Sequence, residues 1–551
     1  MTRGQQTDMY QMSRPLLLVI AMLFLSHSAS FAQRQVNKEA HFKRIYPVAN
    51  EQLEAGKAQR AVKNFSDLLA IDSTNALINY KVGRSYLLLN GEKNKAVPYL
   101  ERAVANTSAK AKDNYKGKEA PLDALFYLGR AYHLDFQFDN AIAAYRKYMK
   151  DEKITDKERI AEIEWMIQCC LNGKMIVDSP ISATTENLGE NINSVYDEYS
   201  AVVDATESML IFTSRRPTST GGLLDLDDKY FEDIFVSQKQ EDGSWGKPAS
   251  IGLKINTEGH EATIGLSADG QELYIYRDDF GDGNIYVCDF KGSNWSEPRL
   301  LNDNVNSPFR ETHASVSADG QTLYYTSDKA GEGGMDIFRS KRLPTGEWAV
   351  SENLGEVVNT KYDEEAPFIH PDGKTLFFSS KGHSSMGGYD IFFSIEENGK
   401  WSTPMNVGFP MNTADDEYFF VMSADGKRAY YSSSNGGGLG GKDIFLVRLD
   451  TDRDVPLTVY KGEIVPNAEG KRPEGVTVRI TDNETGELFG IYRPQSDNGK
   501  FVLILHPGGN YNIAYEADGY LFKSEKLFVP ENTAYFEINR AIQLKPIDLN
   551  K

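Results

Sequence analysis

The chain has 551 residues, 25% of them charged, with Lys+Arg 60 against Asp+Glu 79 and a formal net charge of -19. Its length suggests roughly three or four domains, and its acidity argues against a nucleic-acid partner, which needs a basic face to neutralise phosphates. The charge is uneven: residues 33–175 carry about 24 Lys+Arg against about 18 Asp+Glu, so the remainder is the acidic part, a hint of different partners at the two ends.

The first element expected is a targeting segment. Arg14 precedes an apolar run from Leu16 to Leu25, and Ser30-Phe31-Ala32 supplies a small-x-small site before Gln33. That is the pattern of a cleavable signal peptide over 1–32, with an apolar run too short to span a bilayer. No Cys follows the run, so a lipoprotein anchor is not expected. Of the three cysteines, Cys169 and Cys170 are neighbours and bridge poorly, and Cys288 falls in a strand-like run. All three read as packing residues.

Residues 36–175 read as helical. Val82-Gly83-x-x-Tyr86 and Leu128-Gly129-x-x-Tyr132 repeat one local pattern, with Ala61-x-x-x-Phe65 and Ala141-x-x-x-Tyr145 flanking them. Small residues at fixed points let helices cross closely, and large aromatics fill the gaps. The pattern resembles the tetratricopeptide repeat. Three units are expected, 42–75, 76–110 and 121–154, with a capping helix over about 155–173. The resemblance implies a binding groove, and by its register Tyr80, Arg84, Phe126 and Arg130 line it. Arg with aromatics is the composition of interaction hot spots; ordinary surface is the competing reading of the same residues.

From about 180 to 450 one script recurs. Asn-Ser/Thr leads to a Glu, then an apolar strand, an Asp-Gly turn, an aromatic strand, a Gly-rich turn, Asp-Ile-Phe, and a Trp. The glutamates are Glu198, Glu261, Glu311, Glu364 and Glu417, and the turn aspartates Asp269, Asp319, Asp372 and Asp425. The tryptophans Trp245, Trp295, Trp348 and Trp401 are spaced by 50, 53 and 53 residues. Asp-Gly between strand-like runs signals hairpins, and units of four short strands signal propeller blades. The script resembles the TolB-type, WD-like propeller repeats, with five blades. The first unit departs from it, with Val203-Asp204-Ala205-Thr206 at the turn and an insertion from Arg215 to Tyr230. The last unit lacks the Trp strand. Asn187-Leu188-Gly189 matches Asn353-Leu354-Gly355, so 181–189 is expected to pair with the fifth unit and cover its edge.

Residues 455–551 read as all-β. Val476-Thr477-Val478-Arg479-Ile480 alternates with strand period, and Asp497-Asn498-Gly499, Pro507-Gly508-Gly509 and Ala517-Asp518-Gly519 punctuate the strands. They resemble the carboxypeptidase regulatory-like domain, a transthyretin-like β-sandwich. The expected fold class is therefore multidomain, α plus all-β: helical repeats, a five-bladed β-propeller and a sandwich. That order resembles the PorE-type envelope proteins of Bacteroidetes, linked to type IX secretion and gliding. The resemblance implies a periplasmic, outer-membrane-associated location and envelope or secretion-apparatus proteins as partners. Members of that family normally carry an OmpA-like domain after the sandwich; no such domain is evident here, so direct peptidoglycan binding is not expected.

No catalytic constellation stands out, and no cofactor is expected. Gly382-His383-Ser384-Ser385-Met386 begins like a nucleophile elbow but closes on Met. Asp278, Asp279 and Asp282 on a Gly-rich loop are the candidate calcium ligands, against a plain polar turn. The recurrent Asp233, Asp336, Asp390 and Asp443 read as turn braces. The five glutamates either cluster as a ring that holds a cation or bond backbone amides of the neighbouring blade. The expected function is a non-catalytic scaffold for protein–protein interactions in the envelope. The alternative is a ligand- or glycan-binding propeller acting as a sensor or enzyme accessory.

Overall fold

The computed structural model describes residues 38–547 apart from 153, 226, 279–280, 282, 435–437, 451–454, 469 and 532–533. The expected signal segment, 1–32, and the metal candidates Asp279 and Asp282 lie outside the described residues. The chain divides into two compact units, one up to Tyr132 together with Ala143–Thr155, the other His133–Ile142 together with Asp156–Lys551. Among the described residues, no helix is long and apolar enough to cross a membrane.

The first unit is helical. Its elements are α1 (38–54), α2 (Ala58–Leu69), α3 (Ala76–Tyr86), α4 (Val97–Val104), most of α5 (Asp123–Leu134) and the later part of α6 (Phe138–Glu152). Asn75 caps α3 by accepting the Ile78 N–H at 3.1 Å, which satisfies one orphan donor of the first turn. The two glycines do what their spacing suggested. A Cβ on Gly83 would stand 2.5 Å from Leu100 Cγ of α4, and one on Gly129 the same distance from the Tyr145 ring of α6. Phe65, Leu68, Leu100 and Tyr145 fill the core with no exposure. The insertion after α4 is tied in through Asp113, which pairs with the buried Lys81 at 2.8 Å.

The second unit is built of sheets that are antiparallel apart from one parallel pair, Thr458–Ile464 with Phe536–Ile542, together with helix α7 (Lys157–Asp178). That helix, expected as a cap on the repeats, packs in this unit. Trp165 stacks on Tyr362 at 4.8 Å, and the Asn172 side-chain amide donates to the Ser385 carbonyl at 2.8 Å.

Five sheets of similar plan follow one another. Their first strands are Glu198–Val203, Glu261–Leu266, Glu311–Val316, Glu364–Ile369 and Glu417–Met422. Each pairs with a second strand across an Asp-Gly turn, or across Asp204–Glu207 in the first sheet, and the second pairs with a third. Gly270, Gly320, Gly373 and Gly426 take φ of 71°, 70°, 71° and 70° in these turns, a region only glycine enters without strain. Each first strand carries a register shift, the local bend of a β-bulge. Each touches the first strands of the sheets on either side, and the fifth returns to the first, so the strands close a ring. The fourth strand of the fifth sheet is Ala183–Asn187, which pairs antiparallel with Asp443–Leu449. The pairing expected of 181–189 is present.

A final pair of sheets packs face to face on a core that includes Tyr460, Val478, Phe501, Ile513 and Tyr515. One sheet orders Lys500–Leu505, Thr458–Ile464 and Phe536–Ile542; the other orders Leu488–Tyr492, Thr477–Asp482, Asn510–Glu516 and Lys523–Phe528.

The recurrent tryptophans bind neighbouring sheets. Trp401 meets Tyr324 of the preceding sheet at 6.1 Å and Trp245 meets Tyr430 at 6.2 Å, both edge to face. Trp348 is 2% exposed in a cluster with Tyr274 of the sheet before it. Trp348→Ala should lower stability by about 3–5 kcal/mol, read by urea denaturation. An unchanged midpoint would remove the tryptophans from the framework.

Candidate functional site

The residues expected to line a helical groove do not form one together. Tyr80 and Phe126 are each 4% exposed. Phe126 sits among Tyr127, Tyr145 and Tyr148 at 5.5–5.9 Å, and Tyr80 lies edge-on to Tyr127. Both are core residues, because their helix faces turn toward the neighbouring helix pair rather than toward solvent. Arg84 is half-buried, lies over the Tyr127 ring at 5.1 Å and reaches Glu54 at 3.4 Å. Arg130 is half-buried. Of the four, the two arginines keep some access to solvent.

The five glutamates are framework. In each, the carboxylate accepts the backbone N–H and the hydroxyl of the residue four before it: Ser194, Thr257, Ser307, Thr360 and Thr413. In four of them it also accepts a hydroxyl from the second strand: Ser214, Ser327, Ser380 and Ser433. The amides belong to the connecting loop, not to the neighbouring sheet as one reading expected. The asparagine one residue before each loop Ser/Thr completes the joint. Asn193, Asn256, Asn306, Asn359 and Asn412 each exchange two hydrogen bonds with one isoleucine backbone in the third strand of the preceding sheet.

Asp233, Asp336, Asp390 and Asp443 accept backbone N–H groups of their own turns, as expected. Asp278 accepts the Gly281 N–H at 2.7 Å, a polar-turn role. Among the described residues no group of three or more His, Cys, Asp or Glu is placed to hold a metal. His383 bonds the Val358 carbonyl at 2.9 Å, in the loop ahead of the fourth sheet.

What the spacing did not show is a cluster where the first strands begin, contributed by several sheets. The Tyr389 hydroxyl donates to Glu365 at 3.0 Å, and its ring meets Tyr418 at 4.4 Å. Lys381 lies 4.3 Å over Tyr389 and pairs with Asp363 at 2.7 Å. Lys442 sits over both Tyr199 and Tyr418. Tyr199 bonds Glu232, which also takes a hydrogen bond from His260 at 2.9 Å. Burial pushes Glu365 above the ordinary carboxyl range. Burial, then the charges of Arg310 and Lys442, push His313 down to about 3, so its ring is neutral at any working pH. His313 and Phe419 meet at 5.1 Å inside the ring of first strands, where a cavity of about 20 Å³ remains, room for about one water.

A second region is a polar cleft of about 710 Å³ between the fifth and first sheets and the sandwich. Arg428 reaches Glu207 at 2.6 Å and Asp425 at 3.1 Å there, and Lys239 lies 5.1 Å over Trp245. Lys461, Tyr535 and Glu537 close it from the sandwich. Glu207 stands where the other sheets have the turn glycine, so the departure from Asp-Gly in the first unit was the signal for it.

No protein-family model matches the sequence, and no curated protein does. Solved structures that resemble it are distant. TolB from Acinetobacter baumannii is 15% identical with a TM-score of 0.30, over 59% of this chain and 66% of that one, just under two thirds of its length. A putative TolB from Agrobacterium tumefaciens is 15% identical, TM-score 0.26, over 49% and 99%. An alpha-L-arabinofuranosidase from Podospora anserina, in complex with cellotriose, is 12% identical, TM-score 0.30, over 49% and 94%.

The glutamate joint has a pH signature. Burial pushes Glu364 up to about 7, against hydrogen bonds from Ser380 and Thr360 that favour the anion. The folded state therefore holds this proton more tightly than the unfolded chain, whose value is near the ordinary 4.5. The stability it contributes is complete below the unfolded value and lost as pH rises through the folded one. Glu364→Gln should make the fall in stability between about pH 4.5 and about pH 7 shallower by up to about one proton, measured by denaturation at a series of pH values. An equal slope in the variant would contradict the raised value.

Proposed function

We propose that this chain is a non-catalytic interaction scaffold of the periplasm, associated with the outer membrane, of the PorE type. The helix pairs then act as tetratricopeptide repeats, the ring of five sheets as a TolB-type β-propeller, and the final sheets as a carboxypeptidase regulatory-like sandwich. The observation that carries the reading is the filled centre. With about 20 Å³ left inside the ring, recognition falls to outer surfaces and to loops. The recurrent Glu, Asn and Asp residues support it, because each is committed to holding sheets together. The helical unit supports it from the other end, with an excess of basic residues on a chain that is otherwise acidic. Partners of two kinds, one on each unit, make the chain a bridge between components of the envelope or its secretion apparatus.

The polar cleft favours one second reading. Trp245, Arg428 and Glu207 beside Lys461 and Tyr535 combine an aromatic face with paired charges, a composition that suits a glycan. In that reading the ring serves as a ligand-binding accessory.

Capture of crosslinked envelope proteins by the full chain separates the two. Arg84→Glu with Arg130→Glu should weaken capture of one partner by about tenfold, about 1.4 kcal/mol, and leave capture by the sheet unit intact. Raising salt should weaken the same partner more, because exposed charges are screened within about 10 Å. If the double variant captures every partner as before, the helical unit is not the contact. Hydrolysis of glycans or peptides by the purified chain would overturn the scaffold reading.

A further inference from the structure

Four of the five sheets share a device that the fifth lacks. In each of the four, a tryptophan ahead of the outermost strand bridges the end of the third strand: Trp245 to Lys239, Trp295 to Phe290, Trp348 to Arg342 and Trp401 to Glu396. The indole fills the space beside the second strand of the preceding sheet, as Trp401 does against Tyr324. In the fifth sheet the outermost strand comes from the other end of the chain. Its residue opposite Leu449, the counterpart of Glu396, is Ala183.

The counterpart of Tyr324 in the fourth sheet is Phe377, third residue of Thr375–Ser380 as Tyr324 is of Thr322–Ser327. Beside Phe377 lies a cavity of about 320 Å³. Phe393, Met411, Met422 and Leu449 join Phe377 in its wall, and Asp372 and Asp450 are its acidic residues. No lysine or arginine is among its described lining residues. The volume falls in the range of small-molecule sites, and the wall has their composition, mostly apolar with a few polar groups. An apolar space of this size left empty forfeits dispersion contacts on every side.

We propose that this cavity is a binding site for a small aromatic molecule of indole size, neutral or cationic. The size follows from the fold itself, which fills the equivalent space with an indole at four junctions. Aromatic rings and two thioethers suit a flat π-system. Asp372, with His370 3.4 Å from it, and Asp450 face the cavity with no lysine or arginine among its described lining residues, which disfavours an anion. The site lies wholly within the sheet unit and does not depend on what the helices capture.

The test is calorimetric titration of the full chain with indole, tryptamine and indole-3-acetate. Indole and tryptamine should saturate with Kd below about 1 mM, and the acetate should bind at least about tenfold more weakly. Ala183→Trp returns the missing indole from the chain. It should abolish binding of the free ligands and raise Tm. If that variant does not fold, Leu449→Trp fills the same space from the facing strand and should abolish binding equally. Failure of the wild type to saturate overturns the proposal, as does unchanged affinity in either folded variant. Equal binding of the anion overturns its charge preference.

Discussion

The sheet unit depends on one joint, the Asn-Ser/Thr-x-x-x-Glu loop between consecutive sheets. Its asparagine completes the hydrogen bonding of a third strand in the sheet behind, and its glutamate is held by the loop and by a second strand in the sheet ahead. A single loop thus fastens two sheets through side chains that imitate a neighbouring strand. Hydrogen bonds to a charged group contribute about 1.5–3 kcal/mol each. Leaving such a carboxylate buried without them would cost several kcal/mol. The joint therefore holds only when both sheets are in place, which makes each sheet a condition for its neighbours. Glu364 and Glu417, both fully buried and both pushed upward by desolvation, show how close the balance between burial and hydrogen bonding runs.

Closure adds a constraint of a different kind. Ala183–Asn187 pairs with Asp443–Leu449, so the last sheet is completed by a strand from the other end of the ring. Loop-closure entropy grows slowly with length, and the gain is large: an exposed strand edge is removed, and Asn193 locks the same third strand through Ile444. The cost appears at the same junction. A strand brought from elsewhere does not carry the tryptophan of the other units, with Ala183 opposite Leu449 instead, so the packing there is incomplete beside Phe377.

Much of this was legible because the chain repeats itself. Glutamates, Asp-Gly turns and tryptophans kept one register, and a register shared by independent markers fixes strand number and order. The strand 183–187 was legible from the Asn-Leu-Gly match alone. The helical glycines were legible too, since Gly83 and Gly129 sit where helices press together. The groove was not. Tyr80 and Arg84, like Phe126 and Arg130, are four apart and share one helix face, and spacing along one helix does not say whether that face meets a neighbouring helix or water. The cluster of Tyr199, Glu365, Tyr389, Tyr418 and Lys442 was also invisible. Its members come from separate sheets, and the ring alone brings them together. Glu207 left a trace, the missing Asp-Gly turn, but its partners Arg428 and Tyr430 are more than two hundred residues away.

This contrast says where specificity must reside in a repeated fold. A position that recurs in every unit is answering a demand that every unit makes, and that demand is structural. The residue after each framework glutamate answers no such demand: it is Tyr199, Ala262, Thr312, Glu365 and Tyr418 in turn. Only three of these five are large, and they meet Tyr389, Lys442 and Phe419 rather than one another in a symmetric ring. The first-unit turn and the strand without a tryptophan break the repeat in the same sense. One produces the charged cleft at Glu207 and the other the apolar cavity at Phe377. The framework tolerates these breaks because its energy is distributed over five joints, so a unit can lose one packing element and still be held by two neighbours.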